Sequence, residues 1–346
     1  MDRFNDSEYA ILIGNLLHDT QYIEISNMGK MAGLRKHAEV MVRKILDIGS
    51  SQTLMLGQVK RYSNNSAVNS GMDNLGNELS DRLIEIIRKI NPLGRDGTHT
   101  QHTDEFSNME VESVEDAILD LYALIFIKYF LDIQVSIYSS PQVLRMFSFL
   151  PPIIRYKTWN YLFEIDKNNI QVVNKLWLSI IKLFDKETAY EWLENNSETI
   201  KGIPYPTEHE IEKYYKIHSV EVLPGVYRAF VSLNFDKYSN MYDLLRDKIS
   251  DPRTSVNESG KMYKNFEEAV GHYNNYRSSM IQNNSAEMKS FYPLMDFVYL
   301  GRKTKSELLG WKPRDYNFNK LTPFKLWRID LFIRLIPNSW LWNSNV

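Results

Sequence analysis

The sequence predicts an all-α protein. Apolar residues recur at three- and four-residue spacing along most of the chain, which is the pattern of helices that bury one side. Apolar residues make up 43% of the 346 residues and aromatic residues 13%, enough to build extensive cores. β-Branched and aromatic residues gather between Val220 and Leu233 around Pro224-Gly225, where we expect a small hairpin or an irregular link. Strand content should therefore be low.

Three helices in the first third of the chain are predicted from apolar residues that recur on one face. They span residues 28–46, 75–90 and 113–133. The Asn- and Ser-rich segment Ser63–Asn74 predicts a loop, and Ser113 with Asp116 resembles a capping box at the start of the third helix. Residues 1–136 are therefore expected to form a compact bundle of four or five helices.

Prolines divide the rest of the chain. Pro141 and Pro151-Pro152 suit the first turns of helices, and short helices are predicted between 153 and 195. Lys201-Gly-Ile-Pro-Tyr-Pro206 is the clearest boundary. Beyond it, helices are predicted at 241–249, 262–280, 285–300 and 322–336. The expected organisation is a bundle over 1–136, a helical subdomain over 137–203 and a mostly helical region over 204–346.

Charge balance and the lack of cysteine exclude several classes of function. The chain has 41 basic and 43 acidic residues, a formal net charge of −2, so any RNA contact has to rely on a local basic patch. Without cysteine there are no disulfides, thiolate metal sites or cysteine nucleophiles, which fits a reducing cytoplasm. No segment is a clean apolar run of about 20 residues. We therefore expect a cytoplasmic protein that does not cross a membrane.

The segment Asn91-Pro-Leu-Gly-Arg-Asp-Gly-Thr-His-Thr-Gln-His102 is the strongest candidate for chemistry. It places Arg95, His99 and His102 in a short connection between two helices that are predicted to be buried. An imidazole can take a proton from a ribose 2′-hydroxyl or return one to the leaving oxygen, and a guanidinium can neutralise charge on the phosphate. Such chemistry needs no metal. The simpler interpretation is a polar loop whose histidines bind helix ends.

Other motif classes have less support. His99, His102, Asp104 and Glu105 are residue types that bind zinc or manganese, but they lack a spacing that places them on one helix face. No Gly-rich phosphate loop, dinucleotide fingerprint or G-x-S-x-G motif is found, so no cofactor is predicted. Arg155-Tyr-Lys-Thr-Trp159 mixes basic and aromatic residues in a way that can bind single-stranded nucleic acid. A solvated helix end beside a core aromatic explains the same pattern.

Residues 22–135 resemble the HEPN superfamily, particularly the DUF4145-like branch of bacterial restriction and antiphage systems. The resemblance lies in Leu34-Arg-Lys-His-Ala-Glu39, Ile90-Asn-Pro-Leu-Gly-Arg-Asp-Gly-Thr-His99 and Val114-Glu-Asp-Ala-Ile-Leu-Asp-Leu-Tyr-Ala-Leu. Many members of this superfamily are metal-independent endoribonucleases, with a motif of Arg followed by His after four to six residues. Their site is assembled across a dimer. The resemblance implies a homodimeric endoribonuclease that acts on RNA in antiphage defence or as a toxin.

The resemblance allows two alignments of the histidines. In the first, Arg95 and His102 form the motif, with residues 96–101 between them. In the second, Gly94-Arg95 takes the place of a Gly-Asn pair, and His99 is the family histidine.

A role for Glu39 is also implied by the resemblance, which suggests that it orients a histidine or arginine of the motif loop. The simpler interpretation is a surface pair with Arg35, one helical turn earlier. A homodimer is expected on a second ground, because the segment Ala117–Leu131 is apolar on more than one side and needs burial on several sides. The alternative function is a catalytically inactive HEPN-like module that dimerises and recruits a protein partner through its C-terminal half.

Overall fold

The computed structural model describes residues 2–96, 104–223, 226–229, 233–254, 265–279 and 285–310. Within these segments the fold is all-α with one short antiparallel hairpin. No helix in them is long and apolar enough to cross a membrane. Residues 1–308 form one compact unit, so the boundaries expected after residues 136 and 203 fall inside a continuous body. The helix predicted at 322–336 lies outside the described residues.

The first third of the described chain contains five α-helices. They are α1 (Asp6–Leu17), α2 (Asn27–Leu46), α3 (Ser66–Leu75), α4 (Asn77–Asp96) and α5 (Asn108–Asp132). A π-helical turn, His18–Tyr22, follows α1, and a short 3₁₀ turn, Leu56–Gln58, precedes α3. The apolar stripe predicted for α2 is buried, with Met31, Leu34 and Met41 almost fully enclosed.

Helix α5 forms the centre of this body. Every side chain from Leu121 to Ile127 is at most 7% exposed. Helices α2 and α4 pack against α5, as does α7 (Pro152–Ile165) from later in the chain. The Phe126 and Phe130 rings also contact Phe147 at centroid distances of 5.1 and 5.0 Å. The apolar circumference of α5 is thus buried within one chain and is not evidence for a dimer.

Helices α2 and α5 run in the same direction. Lys30 Nζ lies 2.9 Å from Glu115 Oε1. Seven residues further along both helices, His37 Nε2 and the Tyr122 hydroxyl are 3.0 Å apart. Equal steps on the two helices require a parallel arrangement, so the start of α2 lies beside the start of α5.

The loop predicted at Ser63–Asn74 is wrong, because most of it is helix α3. The Asn65 side chain accepts hydrogen bonds from the first free amides of this helix. The polar composition hides a narrow apolar stripe that is buried: Ala67, Val68, Met72 and Leu75. The helix predicted from Leu75 is in fact interrupted at Gly76, whose φ of +85° separates α3 from α4.

The start predicted for α5 at Ser113 is also wrong. The helix begins at Asn108, where Ser107 and Glu110 form the capping box. The Glu110 carboxylate accepts a hydrogen bond from the Ser107 amide at 2.8 Å. Glu is the usual third residue of this motif, so the better cap lies six residues upstream of the predicted one.

The remaining helices pack around α5 and against one another. They are α6 (Pro141–Phe147), α7, α8 (Ile170–Leu183), α9 (Lys186–Asn195), α10 (Ser197–Lys201), α11 (Glu208–Ile217), α12 (Met241–Ser250), α13 (Phe266–Ser279), α14 (Ala286–Tyr299) and α15 (Lys305–Gly310). The hairpin consists of β1 (Ser219–Leu223) and β2 (Val226–Ala229), paired antiparallel with Ser219 opposite Ala229.

Candidate functional site

Arg95 lies in the last turn of α4 and not in the connecting loop, contrary to the sequence prediction. The helix continues to Asp96 through Pro92. A proline inside a helix removes one backbone hydrogen bond, and the Asn91-Pro92 pair was therefore interpreted as the end of the helix. Ile90 is fully buried and Leu93 is half-buried. This packing holds the last turn in place beyond the proline.

His99 and His102 lie outside the described residues. The described chain resumes at Asp104, and the segment before α5 is attached to the start of α2. Asn27 Nδ2 donates to the Phe106 carbonyl at 2.6 Å and to Asn108 Oδ1 at 3.1 Å. The connection between α4 and α5 therefore begins at a packed helix end and finishes at a capped, anchored one.

Glu39 is half-buried on α2, twelve residues beyond Asn27. At about 1.5 Å per residue it lies roughly 18 Å along the helix from the end that contacts Phe106. Burial raises the pKa of the Glu39 carboxyl, and the nearby Arg43 and Arg35 guanidinium groups oppose that rise. The described surroundings of Glu39 are therefore its own helix and α1, where its charge also acts on Tyr9.

A shallow groove of about 440 Å³ runs beside α4. Its lining residues are mixed in charge: Lys60, Arg61, Asp81, Ile84, Glu85 and Arg88. Arg88 is exposed, and helical positions 88 and 95 share one face because seven residues make nearly two turns. On the α5 side of the connection, the exposed residues are acidic, at Asp104 and Glu105.

No group of three or more potential metal ligands occurs among the described residues. Asp104 and Glu105 belong to that part of the chain, whereas the two histidines proposed as their fellow ligands do not. For the described carboxylates, the structure thus adds nothing that favours a metal site.

A buried polar network that the sequence analysis missed joins distant parts of the chain. The Tyr122 hydroxyl accepts a hydrogen bond from Arg302 Nη2 at 3.2 Å, which leaves its proton for His37 Nε2 at 3.0 Å. The Arg302 guanidinium lies 3.3 Å from the centroid of the Phe266 ring and 3.9 Å from Glu267 Oε1.

The network is enclosed and therefore cross-links the fold instead of receiving a substrate. His37, Tyr122 and Arg302 are all almost fully buried. Burial lowers the pKa of His37 from 6.5 to about 3, with a smaller contribution from the Arg302 charge. One signal was available in the sequence, because His37 follows Leu34 by three residues and precedes Met41 by four, on the apolar face of α2.

A second network ties α4, α5 and α7 together. Lys157 Nζ lies 2.8 Å from Asp120 Oδ1 and 3.0 Å from Asp116 Oδ1, and Arg82 Nη2 lies 3.5 Å from Asp120 Oδ1. Burial alone would lower the pKa of Lys157, but the two carboxylates outweigh it and raise the pKa. Lys157 therefore serves as a buried counter-charge, although its basic-aromatic segment had been considered for nucleic-acid binding.

Comparisons with family models, with curated proteins and with solved structures found no match to this chain.

Proposed function

We propose that this protein is a metal-independent endoribonuclease of the HEPN type, acting in prokaryotic antiphage defence or as a toxin in the cytoplasm. The observation that carries the proposal is the setting of the α4–α5 connection. Arg95 stands in the last turn of a packed helix, and His99 and His102 follow within seven residues. The connection then reaches a capped helix that is anchored on α2. Such a mount suits groups that must be held in place for chemistry.

The proposed reaction uses only side chains of the connection. A neutral histidine removes the proton from a ribose 2′-hydroxyl, whose oxygen then attacks the adjacent phosphorus. Arg95 neutralises the charge that builds on the phosphate oxygens. The 5′-oxygen of the next nucleotide leaves with a proton, so the products are a 2′,3′-cyclic phosphate and a 5′-hydroxyl end. Arg88, exposed on the same helix face, is suited to a neighbouring phosphate.

The proposal includes a homodimer that brings two connections together, as in other HEPN-type sites. Since the apolar face of α5 is satisfied within the chain, the contact has to use surface beside the connection. Met109, in the first turn of α5, is 61% exposed and is the most apolar group available there. A role for Glu39 would need a partner chain to reach it, because its own chain places it far along α2.

A second candidate is favoured by the acidic surface at Asp104 and Glu105, which repels RNA phosphates. In this alternative the module is catalytically inactive, dimerises, and recruits a protein partner through its C-terminal half. The two candidates make opposite predictions for RNA cleavage by the purified protein.

The deciding experiment incubates the full chain with total RNA, with and without EDTA, and maps the new ends. Cleavage that persists in EDTA and leaves cyclic phosphates supports the endoribonuclease. Arg95→Ala and the replacement of the functional histidine by alanine should each reduce the rate by about 10²- to 10⁴-fold. Loss with His102→Ala alone supports the first alignment, and loss with His99→Ala alone supports the second.

A matched control is His209→Ala, at an exposed position on α11, which should leave cleavage unchanged. Glu39→Gln tests the orienting role implied for that carboxylate. Wild-type protein that is inert toward RNA would reject the endoribonuclease in favour of the recruitment module. Cleavage that depends on stoichiometric zinc or manganese would reject the metal-independent chemistry.

A further inference from the structure

Four basic side chains gather where α7, α8 and α12 meet. They are Arg155 on α7, Lys175 and Lys182 on α8, and Lys248 on α12. Arg155 is 6% exposed and Lys182 is 8% exposed, while Lys175 and Lys248 are half-buried. Helix α8 packs against both α7 and α12. We call these four residues the basic cluster.

Members of the basic cluster act on one another electrostatically. Burial first, and then the charge of Arg155, lowers the pKa values of Lys175 and Lys182 to about 8. Burial and the charge of Lys175 likewise lower the pKa of Lys248 to about 8. For Lys175 and Lys248, the charged groups that act on them within the described residues are all basic. The cluster is therefore a region of concentrated positive charge inside the protein.

This arrangement is costly unless an anion joins it. An amine with a pKa near 8 is still about nine-tenths protonated at pH 7, so the charges persist. Like charges held together away from water destabilise a fold, whereas ordinary buried cations are paired with carboxylates. The contrast with Lys157, which has two carboxylates within 3.0 Å, shows how this same fold treats a structural lysine.

The spacing of the cluster indicates the size of the missing anion. Lys175 and Lys182 are seven residues apart on α8, so they share one face at an axial distance of about 10.5 Å. Arg155 acts on both of them and so lies between them. Guanidinium groups bind phosphate with two parallel hydrogen bonds, and lysines add point charges at either side.

We propose that the basic cluster of α7, α8 and α12 binds a small ligand that carries two or more linked phosphate groups. One phosphate would lie at Arg155 and Lys182, and the other at Lys175 and Lys248. The nearest histidine, His218, is already engaged, since its Nδ1 lies 2.9 Å from the Tyr214 carbonyl. The proposed site lies on other helices than the α4–α5 connection and does not depend on RNA cleavage.

The test measures binding of sodium tripolyphosphate to the full chain by calorimetry and by thermal unfolding. EDTA is present, and ionic strength is matched with sodium chloride. We expect one saturable site and a rise in Tm that follows the occupancy. A parallel titration with ATP separates the two sources of this chemistry, because a nucleotide site binds ATP more tightly than tripolyphosphate and an inorganic-phosphate site does not.

Lys175→Met/Lys248→Met should weaken binding at least tenfold and, without ligand, should unfold at the same or a higher temperature, because the like-charge repulsion is gone. The matched control is Lys36→Met/Lys89→Met, which removes the same charge from two exposed positions and should bind like wild type. Lys248→Gln alone provides the same comparison if the double variant does not fold. The proposal is overturned if wild type shows no saturable binding, or if the cluster variants bind as tightly as the control.

Discussion

Acid should destabilise this protein through one residue, His37. In the folded chain the imidazole accepts a hydrogen bond from Tyr122 and lies near the Arg302 charge, and its pKa is lowered from 6.5 to about 3. The unfolded chain therefore takes up the proton first as the pH falls. The stabilisation is complete above pH 6.5 and is lost progressively as the pH decreases from 6.5 toward 3.

The size of this effect follows from the two pKa values. At pH 5.5, one unit below the unfolded value, His37 reduces the free energy of unfolding by about 1.4 kcal/mol relative to neutral pH. The loss at pH 5.5 hardly depends on how far below 4.5 the folded pKa lies, which makes it a robust quantity. At pH 4.5 the loss from this residue grows to about 2.7 kcal/mol.

Urea unfolding at pH 7.5 and 5.5 measures the effect in wild type and in His37→Gln, which retains polar atoms near Tyr122 but does not titrate. The change between the two pH values should be about 1.4 kcal/mol smaller in the variant. His209→Gln, at an exposed position, controls for the loss of a histidine. If wild type and His37→Gln lose the same free energy between the two pH values, His37 is not held neutral and the network is wrongly described.

Three further predictions concern stability and assembly. Lys157→Met should cost about 2–4 kcal/mol in urea unfolding because it leaves Asp120 buried with one fewer counter-charge, and Lys157→Met/Asp120→Leu should recover most of that loss; an unchanged single variant would contradict the buried pair. Gly76→Ala should cost about 1–3 kcal/mol, since a φ of +85° strains any side chain, whereas Gly14→Ala, with open space in a helix, should add about 0.5–1 kcal/mol. The reverse order of the two melting temperatures would refute this. If the proposed dimer exists, Met109→Glu should convert it to a monomer of about 41 kDa by light scattering, and a dimer that persists would place the contact elsewhere.

Helices with wide apolar stripes were predictable because their periodicity survives any tertiary context. Helix α2 begins one residue before the predicted start, and α8 and α12 end within a residue of expectation. Helix α3 was not, because Asn and Ser mask four buried apolar residues and its cap, Asn65, also suits a loop. The break at Gly76 joined two stripes that look continuous in sequence, and only the backbone conformation separates them.

The candidate site was less predictable than the helices. Placing Arg95 required knowing that packing at Ile90 and Leu93 holds a helical turn beyond Pro92, which is a tertiary effect. The buried network around Arg302 joins residues 180 positions apart in sequence, and no local pattern encodes such a pairing. The basic cluster likewise arises from three helices, and in the sequence its lysines look like ordinary surface residues.

The closure of α5 by late segments also determines when this protein can finish folding during synthesis. Phe291 of α14 covers Phe126 and Tyr129 at centroid distances of 5.8 and 4.9 Å, and Arg302 seals the Tyr122 end. Arg302 is translated about 170 residues after α5 ends, which takes roughly 10–30 s at typical rates of elongation. During that interval the most apolar helix of the chain lacks its cover. The nascent protein is therefore expected to require chaperone protection, and a fragment that stops near residue 136 should aggregate instead of folding.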